Sequence, residues 1–425
     1  MSWGFLFRIR QQLKGSLWFL PLLGAISGPL LGELTLWLDR MVTLPAAWQY
    51  SASTATSVLT VLVGAMVGLL GFVVTISVLV VQQATGTLSP RFMRLWVRDP
   101  LQKVVLATFI GTLTLSYSLL RRVEANFVPN IGVTVCGIAV AVSLFLLLLY
   151  LNGFTHTLRP VAVAALVARV GRRVAEASMG GPQVADGSPA ATAASPSLAV
   201  PIGRSGAIQA IHERGLVALA RRGDCVLVLR HVVGDFVPAG TVVVEVIGTA
   251  PLRATRRLRR MFALGRERTI EQDPAFALRI LVDIAIRALS PAVNDPTTAV
   301  QVLDYIEDLL LVIGRRVLPG RRELRDAGGR TRALMPARRW EQYLELGVTE
   351  IRQYGATSVQ VARRLRAALE ELRAGVRPEH RAAVEVELCK LEAGVAASFR
   401  EGVDWGLADA SDRQGIGGPR FIPSG

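Results

Sequence analysis

Apolar stretches, uncharged but for Glu33, fill the first third of the chain, at residues 17–38, 58–81, 104–120 and 127–151. Each is long enough, at 1.5 Å of rise per residue, to cross the roughly 30 Å of hydrocarbon in a bilayer. The third is the shortest, and the first carries Pro21, Pro29 and Glu33. That first run continues as far as Trp37 with no small-residue cleavage site behind it, so it reads as a retained span rather than a leader. Beyond His156 the long runs stop and shorter periods take over, so the pattern predicts a four-span helical bundle followed by a large soluble region.

Within the second span, Gly64, Gly68, Gly71, Thr75, Val78 and Gln82 recur at offsets that keep them within about 40° of one line on a helix. Small and polar residues in a row admit two readings: a tight seam with another helix, or a face lining a path in an oligomer. Between spans two and three, Pro90 interrupts the helix, and residues 91–98 then alternate Arg with Phe, Leu and Trp, as in a short amphipathic helix on the inner leaflet.

The soluble region divides by period. A helix is expected over 160–177, then a Pro- and Gly-rich linker to 201. Period-two runs at 207–211, 225–229 and 241–246, with a helical piece at 213–220 and the turn Gly234-Asp235-Phe236-Val237-Pro238-Ala239-Gly240, read as a small β-barrel or sandwich. That segment holds no lysine, which excludes a lipoyl or biotin carrier. The expected organisation is therefore a transmembrane domain (1–156), helix and linker (157–201), small β domain (202–250), helical domain (251–400) and loose tail (401–425). Its fold class is a four-span α-helical bundle joined to a cytoplasmic α+β region.

The densest pattern is 269–313. Ala277, Ile280, Leu281, Ile284 and Ala288 mark one helix face, with Arg279, Asp283 and Arg287 four apart on another. A second helix follows the elbow Ser290-Pro291-Ala292-Val293-Asn294-Asp295-Pro296-Thr297-Thr298, where Asp295 as N-cap and Pro296 at the first turn are both start signals. Capping alone accounts for these polar residues. A helix N-terminus also favours an anion, so Ser290, Asn294, Asp295, Thr297 and Thr298, with Arg268, Asp273, Asp283 and Arg287, form a candidate ligand or partner elbow.

Charge and composition narrow the chemistry. The formal balance is +15, yet the run of seven arginines over 253–268 has no aromatic platform interleaved, so a solvated face near the inner leaflet is expected rather than nucleic acid. Eleven basic residues flank one side of the spans against Arg40, Arg121 and Arg122 on the other, which predicts both termini in the cytoplasm. Three cysteines and four histidines show no metal-ligand spacing, and none of the common nucleophile, phosphate-loop or dinucleotide motifs occurs. No enzyme, cofactor or metal site is expected. The expected partners are membrane lipid, a second copy of the chain, and a small anion or protein at the elbow.

Several of these segments resemble one bacterial family of predicted membrane proteins, domain of unknown function twenty-two fifty-four. The likeness is carried by Ser89-Pro90-Arg91, Phe109-Ile110-Gly111-Thr112, Phe127-Val128-Pro129, Gly234-Asp235-Phe236-Val237, Arg268-Thr269 with Gln272-Asp273, and above all 281–299. It implies a multi-pass inner-membrane protein and supplies no catalytic residue. Two functions remain in view: an oligomeric channel or transport-like protein with a cytoplasmic vestibule, and a membrane-anchored sensor or scaffold.

Overall fold

The computed structural model describes residues 3, 7, 13, 16–42, 45, 48–87, 100–125, 127–157, 159–178, 196–248, 254–399 and 403–415. Its contacts divide the chain into two compact units, residues 11–159 and residues 160–425 together with 1–10. The expected amphipathic stretch at 91–98 and most of the linker, 179–195, lie outside the described residues.

Among the described residues, the first unit contains four helices, α1 (Phe19–Met41), α2 (Ala52–Thr87), α3 (Pro100–Leu120) and α4 (Asn130–Thr157). All four contain windows apolar and long enough to span a membrane. Span one is continuous despite Pro29. Its acid, Glu33, accepts a 2.6 Å hydrogen bond from Arg122, so the charge that looked isolated in the sequence has a partner.

Small residues do make a seam, but not where the stripe of α2 predicts it. A Cβ built at Gly24 would lie 2.2 Å from the Ala107 carbonyl oxygen, and one at Gly28 would lie 2.5 Å from that of Gly111. Helices α1 and α3 therefore approach closely enough for backbone contact, as lipid-embedded helices do when small residues meet at the crossing. Among the described residues, nothing lies within 4 Å of a Cβ built at Gly64, Gly68 or Gly71. The physical reason is visible on the other side of α2, where Ala55, Leu59, Met66, Val73 and Val80 are buried. These larger residues sit about 180° around the helix from the glycines and carry its packing. Thr75 turns its hydroxyl back to the Gly71 carbonyl at 2.9 Å, and Gln82 is exposed.

A test follows directly. Gly28→Leu should cost about 1–3 kcal/mol or more by overpacking a backbone contact. Gly68→Leu should leave the stability of the detergent-solubilised monomer unchanged, and thermal unfolding of the two variants separates them.

The second unit opens with α5 (Pro160–Ser178), then β1 (Leu198–Pro201), β2 (Gly206–Ile211), α6 (Glu213–Arg222), β3 (Cys225–Leu229), β4 (Phe236–Val237), β5 (Val242–Gly248), α7 (Ala254–Arg259) and β6 (Phe262–Gly265). It continues through α8 (Pro274–Ala288), α9 (Pro296–Gly314), β7 (Arg321–Arg325), β8 (Thr331–Pro336), α10 (Trp340–Tyr354), α11 (Val359–Gly375), α12 (Arg381–Ser398) and α13 (Val403–Ala408). The strands form a five-stranded sheet, β1-β5-β3-β8-β7, and a three-stranded sheet, β4-β2-β6.

One apolar core joins the sheets, with Ile208, Val237 and Phe262 from the smaller and Leu227, Val244 and Ala333 from the larger. The sandwich is thus of the expected kind, but its strands extend well past 202–250. β6 lies in the arginine-rich run read as a solvated face, and β7 and β8 lie far downstream in the region expected to be helical. Strand β8 runs parallel to β3, Leu227 opposite Ala333, while the other ladders are antiparallel.

Nor is α5 a free connector. It buries Val163, Ala164, Val167, Ala168, Gly171 and Ala175 against α8 and α9, and at Gly171 a Cβ would come within 2.6 Å of the Ala277 side chain. At the far end, residues expected to be loose are anchored to α11: Arg366 pairs with Asp409, and Arg363 with Asp412 at 3.4 Å.

Candidate functional site

After β6 the chain passes Arg268, makes a short 3-10 turn at Ile270–Gln272 and enters α8 at Pro274. Proline suits that first position, because its fixed φ is already helical and its missing N–H would have had no partner within the helix. Asp273, in the capping position before it, is only 3% exposed, and its Oδ2 has no hydrogen-bond partner among the described residues.

Gly234 closes over this carboxylate. Its φ of +97° is a left-handed conformation, and a Cβ there would lie 2.2 Å from Asp273 Oδ2. Glycine therefore meets two requirements, the backbone angle and the space. Arg338 Nη2 is 3.4 Å from the same point, and Arg268 donates from Nε to the Gly234 carbonyl. Burial pushes the Asp273 carboxyl up to about 6, with the Arg338 and then the Arg268 charges pulling the other way.

Asp273 and Arg338 are among the residues that line a cavity of about 450 Å³ in the second unit. Apolar walls come from residues such as Val233, Leu318 and Met335. Tyr343, almost fully buried, also lines it, and burial together with the Asp273 charge holds its hydroxyl well above the usual phenol range. Arg322 is already engaged, donating to both carboxylate oxygens of Glu213 at 3.0 and 3.2 Å. At the rim the His212 ring stacks on Trp3, with centroids 4.6 Å apart and planes 5° from parallel. Burial, and then Arg214, lower the His212 pKa, and its Nδ1 is buried with no partner among the described residues.

The nine elbow residues do not come together. Arg268 and Asp273 sit at the start of α8, whereas Ser290, Asn294, Asp295, Thr297 and Thr298 lie beyond its other end, about 20 Å away along a helix of that length. Asp283 lies between them and pairs with Arg279 at 2.7 Å, the same arginine that donates to both oxygens of Glu350. At the elbow the capping reading accounts for the contacts. Asp295 accepts from the Thr298 N–H at 3.0 Å and from its hydroxyl at 2.6 Å, Ser290 donates to the Arg287 carbonyl, and Asn294 takes a positive φ of 48°. Asp295→Ala is therefore expected to lower stability by about 1 kcal/mol, the worth of a lost cap, in thermal unfolding.

Among the described residues no three His, Cys, Asp or Glu side chains are grouped to hold a metal. Pattern reading also missed Arg338, Tyr343, His212 and the Glu213–Arg322 pair. The one local signal was the turn at Gly234, which reads equally well as a hairpin.

The match to known families is broad. The model of a predicted-membrane-protein family, DUF2254, matches residues 14–371. The chain belongs to this family. Uncharacterized proteins of Mycobacterium bovis and Mycobacterium tuberculosis are each 30% identical over 423 residues, covering 95% of this chain and 79% of theirs. No solved structure matches. The family match spans both the four helices and the Asp273 cavity, up to within α11.

Asp273 carries a stability signature. Its folded pKa lies above the ordinary carboxylate value of 3.8, so the native state binds the extra proton, and its contribution favours folding at low pH and is lost as pH rises through about 6. Asp273→Asn keeps the size and shape of the side chain and removes the buried charge. The variant should be more stable than the wild type at pH 7.5, by about 3 kcal/mol at most, with the difference vanishing below about pH 4. Urea titrations across that range check it.

Proposed function

We propose that the protein is a membrane-anchored binding protein of the sensor class, taking a small molecule into the Asp273 cavity without transforming it. The observation that carries this reading is the Asp273 carboxylate: buried, with no partner for Oδ2 among the described residues, on a residue that lines a cavity with both apolar and charged walls. Such a group costs stability where it stands. A ligand able to satisfy it recovers that cost on binding.

The spans then serve as a tether in a bacterial inner membrane with both termini cytoplasmic. The arginine and lysine bias supports this orientation. So does the Trp3–His212 stack, in which a residue preceding the first span belongs to the same compact unit as the region following the fourth. The test is a thermal-shift screen of the full-length protein in detergent against a library of metabolites. Compounds that stabilise the wild type but not Asp273→Leu are expected; a library in which no compound separates the two proteins overturns the reading.

A second reading, an oligomer whose α2 faces line a path, is favoured by the uncovered Gly64, Gly68 and Gly71. Reconstitution in planar bilayers tests it: a conductance altered by Gly68→Leu supports it, and a silent bilayer counts against it.

A further inference from the structure

We propose that the cavity is built for a zwitterion of the α-amino acid kind with an apolar side chain, its ammonium taken by Asp273 and its carboxylate by Arg338. This rests on the binding reading above and names the class of ligand.

Three features of the lining lead there. The first is charge balance. Arg214, Arg322 and Arg338 face Glu213, Glu271 and Asp273, so the walls carry no net charge, which disfavours both a simple anion and a simple cation. Glu213 and Arg322 already neutralise each other, leaving Asp273 and Arg338 as the opposed pair nearest to one point.

The second is spacing. Asp273 Oδ2 and Arg338 Nη2 both lie within 3.4 Å of the position a Gly234 Cβ would take, yet Oδ2 makes no hydrogen bond among the described residues. An acceptor and a guanidinium held side by side and not joined match a donor and an acceptor a few bonds apart on one ligand. The two charged groups of an amino acid are arranged in this way.

The third is shape. Behind the pair the cavity continues between apolar side chains, among them Val232, Leu318, Pro319 and Met335, and its volume of about 450 Å³ exceeds that of any single side chain. An aliphatic or aromatic side chain is thereby removed from water while the polar end is held.

Calorimetric titration of the full-length protein in detergent at pH 7.5 tests the assignment, with L-phenylalanine, L-leucine and L-methionine as probes and blank micelles subtracted. At least one of the three should bind. 3-Phenylpropionate and phenethylamine, which lack the ammonium and the carboxylate respectively, should bind about ten- to a hundredfold more weakly than L-phenylalanine, as for a lost hydrogen bond to a charged group.

Arg338→Gln, at a half-buried position, should abolish the preference for L-phenylalanine over phenethylamine. Gly234→Ala should abolish binding by filling the space beside Oδ2. Because the Gly234 variant also strains the backbone, Arg338→Gln is the decisive protein change. Equal affinity for L-phenylalanine and 3-phenylpropionate overturns the inference in favour of an anion site. Silence from all three amino acids overturns it too, and the metabolite screen then tells whether the binding reading falls with it.

Discussion

Trp340→Ala is expected to destabilise the second unit by about 3–5 kcal/mol, the usual cost of truncating a large buried aromatic side chain. Trp340 is 1% exposed and heads the fully buried side chains by volume. Its indole N–H donates to the His380 carbonyl at 3.0 Å, and its ring stacks on that histidine with centroids 5.2 Å apart. His380 in turn contacts the Gly314 carbonyl through Nδ1 at 2.8 Å, and a Cβ on Gly314 would come within 3.0 Å of the indole. One side chain thereby ties the end of α9, the start of α10 and the turn before α12. Truncation leaves a cavity among three elements and a carbonyl without its donor. Trp340→Phe should recover most of the packing but not the hydrogen bond, worth about 1 kcal/mol. Chemical denaturation followed by far-ultraviolet circular dichroism measures both; equal losses for the two variants would show that packing contributes little.

Arg364→Ala should be comparably damaging, for an electrostatic reason. The guanidinium is 5% exposed and donates to Asp304 at 2.8 Å and to Glu307 at 2.6 Å, joining α11 to α9. Glu307 is itself buried, and burial with the nearby Glu371 pushes its carboxyl up to about 7 even with the arginine in place. Removing the cation leaves Glu307 buried without its counter-charge, for which a loss of about 3–5 kcal/mol is typical, while Asp304 is exposed and solvated. Since the uncompensated group is then an acid with a raised pKa, the loss should shrink as pH falls below about 7. Arg364→Ala combined with Glu307→Leu should be milder than Arg364→Ala alone, which a double-mutant cycle reads directly. A double variant no more stable than the single would place the cost elsewhere.

How far the sequence discloses this architecture depends on the range over which each signal acts. The four spans and the cap at Asp295 are local patterns, so length, period and the Asp-Pro pair were enough to place them. The glycine seam was not legible in the same way. Gly24, Gly28 and Gly32 in one span and Gly64, Gly68 and Gly71 in another have similar spacing, and which set is packed depends on where Leu59, Met66 and Val73 find neighbours.

The sheet was half-read because β2, β3 and β5 alternate in β-branched residues. Strand β7, Arg-Arg-Glu-Leu-Arg, has the composition of a helix and becomes a strand only through its pairing with β8. The candidate site is the extreme case. Asp273 was singled out, but for an elbow on the wrong end of its helix, and Arg338 is brought to it by a loop that no periodicity marks.

The parallel pairing of β3 with β8 has a consequence for synthesis. Leu227 must wait for Ala333, more than one hundred residues later, before its ladder partner has left the ribosome. Until then one side of β3 offers unpaired amides and carbonyls to any neighbouring nascent chain. Messages truncated before that point should yield products that are insoluble or held by chaperones, even though every membrane span has already been made.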